Sequence, residues 1–177
     1  MSGLVSPAAA APGAVKGSWG CRPPVHNAGV EPAFVLHLPP ESGRLAFGPI
    51  DDPYGDGYVG RFEVELTDDG LTATTTATIG VFAPGQLDEF LDSLADDWRG
   101  WDGVRRWHSL NRELVIEATH DRTRRVVLEV TVQPDALVPP WSAQGRFEIE
   151  PGEQLAAIVG EVAAWLGPYA TRHRSSS

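Results

Sequence analysis

The chain is poor in three chemistries. It has one cysteine among 177 residues, Cys21, so no intramolecular disulfide and no cysteine-based zinc site can form. Its only lysine is Lys16, and 14 Lys and Arg residues stand against 24 Asp and Glu residues, for a net charge of −10. That balance argues against nucleic acid as a partner, because phosphate contacts need a positive surface. Apolar runs long enough to span a bilayer are absent from the sequence. The alanine-rich N-terminus has neither a basic first segment nor a strongly apolar core, so no signal peptide is read and the cytoplasm is the expected location, with no membrane partner.

Motifs that carry chemistry are equally scarce. There is no P-loop, no G-x-G-x-x-G and no G-x-S-x-G elbow. His26, His37, His108, His120 and His173 show no i, i+3 or i, i+4 spacing to one another. The loop Asp51 to Gly57, DDPYGDG, lacks the spacing and the final glutamate of a calcium loop. No metal, no cofactor and no catalytic residue is therefore expected. His120-Asp121 sits at a turn between strands, where Asp121 starts the turn. Asp102 with Glu113 is one carboxylate pair among many in an acidic chain.

The patterning that is present reads as an α+β domain, an antiparallel sheet of about six strands in hairpins packed against two helices. Residues 1–43, rich in Ala, Pro, Gly and Ser, are expected to be a disordered or weakly ordered tail. The domain is expected over 44–168, with 169–177 a disordered C-terminal tail. Phe34 to Leu38 is the one apolar run in the first segment, open to reading as a short strand or a docked segment. Leu45 to Gly48 could be a first strand. Phe62, Val64 and Leu66 alternate with charged residues, Asp68-Asp69-Gly70 turns the chain, and Leu71 to Ile79 returns, which makes a hairpin. Strands are also expected at Leu114–Ala118, at Val126–Val132, whose near-continuous apolar run suits a central position, and at Trp141–Glu150.

Leu87, Phe90, Leu91, Leu94 and Trp98 fall on one face of a helix. Asp88, Asp92 and Asp96 line another, and Gly100 ends the run. A second helix opens at Pro151, carries Leu155, Ile158, Val159, Val162 and Leu166 on its apolar face, and stops at Gly167-Pro168.

Between the first helix and the next strand lie Trp98, Trp101 and Trp107 with Arg99, Arg105 and Arg106. Two readings fit: an exposed recognition surface, since Trp and Arg are frequent binding anchors, or a tryptophan cluster closing the core with arginines stacked on it. The binding candidates are Trp101, Arg105 and Arg106, with Asp92 and Asp96 on the acidic helix face. Arg105, Arg106, Arg112, Arg122, Arg124 and Arg125 could also form one basic patch, if the loop and the hairpin turn that carry them lie near each other. The function expected first is a non-catalytic protein-binding module, a monomer or weak homodimer, whose acidic surface suits a basic protein. The alternative is a small-ligand binder or enzyme with a pocket near Trp101, His108 and His120.

The segments LADDWRGWDGVRRWHSL, ELVIEATHD, VVLEVTV and EPGEQLAAIVGEVAAWL, with the hairpin FEVELTDDGLTATTTATI, resemble an actinobacterial family of unknown function. WRGWDG and PGEQL carry the resemblance, over about Tyr58 to Leu166. This chain has Arg122-Thr123-Arg124 where the family pattern carries a glycine. By layout, the order of hairpin, helix, further hairpins and final helix is similar to WapI-type immunity proteins of bacterial toxin systems. That similarity implies an acidic cytoplasmic protein that neutralises a toxin.

Overall fold

A computed structural model describes residues 32–38, 43–80, 86–121, 125–167 and 169. Cys21, His26, Arg122, Arg124 and His173 lie outside them, as do most of the two expected tails. Two four-stranded antiparallel sheets each precede a helix. The first holds β1 (Phe34–Leu38), β2 (Gly43–Phe47), β3 (Val59–Asp68) and β4 (Leu71–Gly80), followed by α1 (Leu87–Asp96). The second holds β5 (Val104–His108), β6 (Leu114–His120), β7 (Val126–Val132) and β8 (Ala143–Ile149), followed by α2 (Glu153–Leu166). The α+β class stands, with eight strands rather than about six.

The two added strands have different causes. β1 is the run left open between strand and docked segment. It pairs with β2, Phe34 opposite Phe47, and buries Phe34 and Leu36. β5 lies in the stretch expected to be loop between α1 and the next strand. It is an edge strand that pairs only with β6 and buries Trp107 alone among its five residues, so its alternation is drowned by arginines.

Strand β3 shows how the sheets bury one side. Phe62, Val64 and Leu66 are buried while Arg61 and Glu63 are exposed, the period of two that a one-sided strand requires. Asp69-Gly70 forms the two-residue connection to β4, a sequence suited to the tight turns of hairpins. On the other sheet β7 buries Val126, Val127, Leu128, Val130 and Val132, as befits a strand flanked by β6 and β8. The sheets meet face to face where β8 packs against β1, β2 and β3. At Gly145 a Cβ would stand 2.9 Å from the Leu66 side chain of the opposite sheet, so a glycine permits this close approach.

The helices pack on each other. From α2, Leu155, Ile158, Val162 and Leu166 enter the core, and Trp165 stands edge-on to Phe62 at 4.7 Å. From α1, Leu87, Leu91 and Leu94 are buried. Helix α1 stops at Asp96, short of Trp98, and Trp98 is 46% exposed. The expectation that Trp98 joins the buried face is thus overturned: once the helix ends, the 3.6-residue spacing no longer carries position 98 onto that face.

The aspartate face of α1 is not uniformly wet. Asp88 is buried, Asp92 half-buried and Asp96 exposed, so the stripe dips into the protein at its N-terminal end. Burial pushes the Asp88 carboxyl above the ordinary aspartate range, aided by the like charges of Glu89 and Asp92 and opposed by backbone hydrogen bonds. The folded state therefore holds this proton more tightly than the unfolded chain does. Asp88's contribution to stability must fall as pH rises from the ordinary aspartate value through the raised one, and level off above it. An Asp88→Asn variant should accordingly gain stability relative to the parent as pH rises above the ordinary aspartate value. Urea unfolding across that range checks it, and a stability difference independent of pH would contradict the assignment.

Candidate interaction surface at the end of the first helix

The chain from Asp97 to Arg105 connects α1 to β5 and gathers several of the candidate residues. Gly100 donates its N–H to the Asp97 carbonyl at 2.7 Å and has φ +118°, a conformation glycine adopts without strain. Its missing side chain also makes room for His120, whose Nδ1 would lie 3.0 Å from a Cβ there. Trp101 comes next, half-buried against the core, with its ring edge-on to His120 at 5.3 Å. The guanidinium of Arg105 lies 4.8 Å from the Trp101 ring centroid. Arg105 also donates to the Ser93 carbonyl at 2.9 Å and pairs with the Asp97 carboxylate. One arginine therefore joins strand β5 to the last turn of α1 across the face of Trp101.

Arg106 is separate. It is next to Arg105 on a strand, so it points to the other face, where it pairs with its cross-strand neighbour Glu117 at 2.6 Å. Arg125, just before β7, pairs with Glu148 of β8 at 2.7 Å. Arg112 belongs to the β5–β6 turn and Arg125 to the start of β7, at opposite ends of β6. Among the described residues, Arg105, Arg106 and Arg125 each pair with a different carboxylate and Arg112 lies at the far end of β6, so these four do not form the single basic patch their sequence proximity suggested.

What stays exposed beside this junction is Trp98, with the Arg99 guanidinium 4.8 Å above its ring. Asp96, Asp97, Asp102 and Val104 are exposed in the same stretch. Of the five binding candidates, Trp101, Arg105, Asp92 and Asp96 belong to α1 and its junction with β5, and Arg106 faces away. Trp98, expected on the buried helix face, is exposed, and Trp101, open to either reading, is half-buried. The position of Gly100 relative to the helix end was the available signal.

The alternative pocket is not assembled. His108 lies opposite Val115, and His120 is five residues further along β6, roughly 17 Å at the rise of a strand. Trp101 and His120 do meet, and Trp101 Nε1 and His120 Nε2 are buried without a hydrogen-bond partner among the described residues. His108 instead places Nδ1 2.7 Å from the Ser109 carbonyl. Asp102 and Glu113 are also apart, before and after β5.

Sequence reasoning missed the polar centre of the β5–β6 turn. Glu113 and Ser109 are each 1% exposed. The Ser109 hydroxyl donates to Glu113 at 2.6 Å, and the Asn111 backbone N–H and side-chain amide both donate to the same carboxylate at 3.2 Å. Arg112 has φ 66°, and its carbonyl accepts from the Gln133 amide at 3.0 Å. Serine, asparagine and glutamate within five residues of a turn were the signal. Their use is to satisfy backbone and side-chain groups that the tight turn buries.

A shallow groove of about 320 Å³ lies elsewhere, lined by Ala33, Pro49, Ile50, Trp165, Leu166 and Tyr169. The loop beside it is held by Asp52, whose carboxylate accepts backbone N–H groups of Tyr54, Gly55 and Gly57 at 3.2, 2.8 and 2.6 Å. Desolvation raises the Asp52 carboxyl, but these hydrogen bonds outweigh it and hold it below the usual aspartate value. Among the described residues, no group of three or more His, Cys, Asp or Glu is arranged to hold a metal ion, and no helix is long and apolar enough to cross a membrane.

No curated protein and no solved structure matches the chain. Residues 40–169 match a family of unknown function, DUF6228, a span that takes in every described element from β2 to α2. With well over half its length inside that match, the chain belongs to the DUF6228 family.

Proposed function

We propose that this protein is a binding module for another, basic protein, with Trp98 as the anchor of the contact. The observation that carries the reading is the exposure of Trp98 on a helix end with Asp96 and Asp97 directly before it. Exposed tryptophans on rigid supports are common energetic centres of protein interfaces. The support here is the Arg105 bridge between Trp101, Ser93 and Asp97. Arg105 and Asp97 neutralise each other, and Asp92, Asp96 and Asp102 outnumber the Arg99 guanidinium stacked on Trp98, so the surroundings of the anchor are net acidic. Asp92 and Asp96 would steer a basic partner toward it, an effect on association rate more than on affinity. A toxin-neutralising role, as in immunity-type proteins, fits an acidic chain of this layout, and a basic toxin is the partner class that follows from it.

Affinity capture from the native host, followed by mass spectrometry, identifies the partner. Trp98→Ala should then weaken its binding by about thirtyfold, at the lower bound of a hot-spot effect. Asp92→Lys with Asp96→Lys should slow association at low salt and leave dissociation nearly unchanged. The proposal fails if no specific protein is recovered, or if the recovered protein binds the Trp98→Ala variant as tightly as the parent.

A further inference from the structure

The groove at the end of α2 and the loop that leaves its edge form a second surface, remote in sequence from Trp98 and independent of the reading above. The groove has an aromatic wall held in place. Trp165 donates its indole N–H to the Gly48 carbonyl at 3.0 Å and packs on Phe34, Phe47 and Phe62. Tyr169 is buried over Gly60, where a Cβ would stand 3.1 Å from its ring and 2.8 Å from Ile50. The volume of about 320 Å³ is at the small end of the range for ligand pockets, room for one or two aliphatic side chains.

The loop from Asp51 to Tyr58 leaves the groove at Ile50 and returns at Gly60. Paired backbone hydrogen bonds between Asp51 and Arg61, both 2.8 Å, close its base. Asp52 fixes its interior, and Asp56 accepts the Tyr58 N–H at 2.9 Å. On this preorganised frame Tyr54 is 66% and Tyr58 50% exposed, and the exposed carboxylates are Asp51 and Asp56. A rigid tyrosine- and glycine-rich loop offers contact area with little ordering cost on binding. Tyrosine faces and carboxylates both attract cations. An apolar floor with an acidic, tyrosine-bearing rim selects one chemistry.

We infer that this groove and its Asp51–Tyr58 rim bind a cationic peptide segment of another protein, an aliphatic side chain entering between Trp165, Ile50 and Tyr169 while flanking arginine or lysine residues face Asp51, Asp56 and the two exposed tyrosines.

The test is titration of the full-length, isotope-labelled protein with a capped Arg-Leu-Arg-Leu-Arg peptide at low salt, read by nuclear magnetic resonance. The expected result is saturable movement of the Gly48 and Gly60 amide signals and of the Trp165 indole N–H. Asp51→Asn with Asp56→Asn, substitutions at exposed positions, should weaken the binding about fivefold. Pro49→Arg, at the exposed lip, should abolish it. A Glu-Leu-Glu-Leu-Glu peptide should leave these signals unmoved, and Trp98→Ala should leave the titration as in the parent, which separates this surface from the Trp98 anchor. Equal binding of the acidic peptide, unchanged affinity in the double variant, or no movement at the groove would each overturn the inference. So would movement of the same signals on dilution, which makes a second copy the occupant, or on removal of residues 171–177, which makes the chain's own end the occupant.

Discussion

Leu94→Ala should lower the free energy of unfolding by about 2–5 kcal/mol, the cost of deleting a fully enclosed leucine side chain. Leu94 is 0% exposed and belongs to the cluster that also contains Phe62, Val64 and Leu66 of the first sheet. It sits on α1, the helix that meets α2, so the space it leaves is walled by elements fixed from several directions. Such a site collapses poorly, which places the cost above the transfer free energy alone. For a chain of this size the melting temperature should fall by roughly 4–20 °C. Trp98→Ala, four residues on, is the control: truncating an exposed side chain should change stability by no more than about 0.5 kcal/mol. Paired denaturant curves measure both, and a Leu94→Ala loss as small as that of Trp98→Ala would remove α1 from the core.

Glu113→Ala should cost about 2–3 kcal/mol, although Glu113 lies in a turn and not in the apolar core. The carboxylate is the acceptor for the Ser109 hydroxyl, the Asn111 N–H and the Asn111 amide; Glu113 and Ser109 are buried, while Asn111 is exposed. Alanine would leave the buried Ser109 hydroxyl without this acceptor, at about 1–3 kcal/mol, and would release the two Asn111 donors to solvent. Glu113→Gln keeps one oxygen acceptor and should cost markedly less. Equal losses for the two variants in urea unfolding would mean that side-chain volume, not hydrogen bonding, is what the turn needs from this position.

The parts of the fold legible in the sequence are those with a clean period and strong punctuation. The β3–β4 hairpin could be read because its alternation ends in Asp69-Gly70, and α2 because its apolar face ends at Gly167. The strand β5 could not, since an edge strand with one buried side chain and two arginines has the composition of a surface loop. Trp98 was misplaced because a helical period was carried through a stop. The residues Trp101 and Arg105 could be grouped from sequence, but not their contact with each other, which needs β5 to run beside α1. Glu113 was hidden for the opposite reason: in an acidic chain a carboxylate is usually solvated, and only its burial gives it meaning.

Each of the six strand pairings joins neighbours in the chain, and the order of four strands and one helix occurs twice. Hairpin closure therefore crosses loops of two to 11 residues, and because closure entropy grows slowly with length the loss at each step is modest. The expensive contacts are those between halves: β8 against β1 to β3, with Leu66 meeting Gly145, and helix against helix. Local meanders can form quickly while their apolar faces are still open to water, and the slow event is the docking of one half upon the other. On a ribosome the first sheet and α1 emerge before any residue of the second sheet exists to cover them. Until β8 and α2 arrive, the Phe62, Val64 and Leu66 face is an adhesive surface, so this protein's exposure to aggregation is concentrated in its synthesis and not in its finished state.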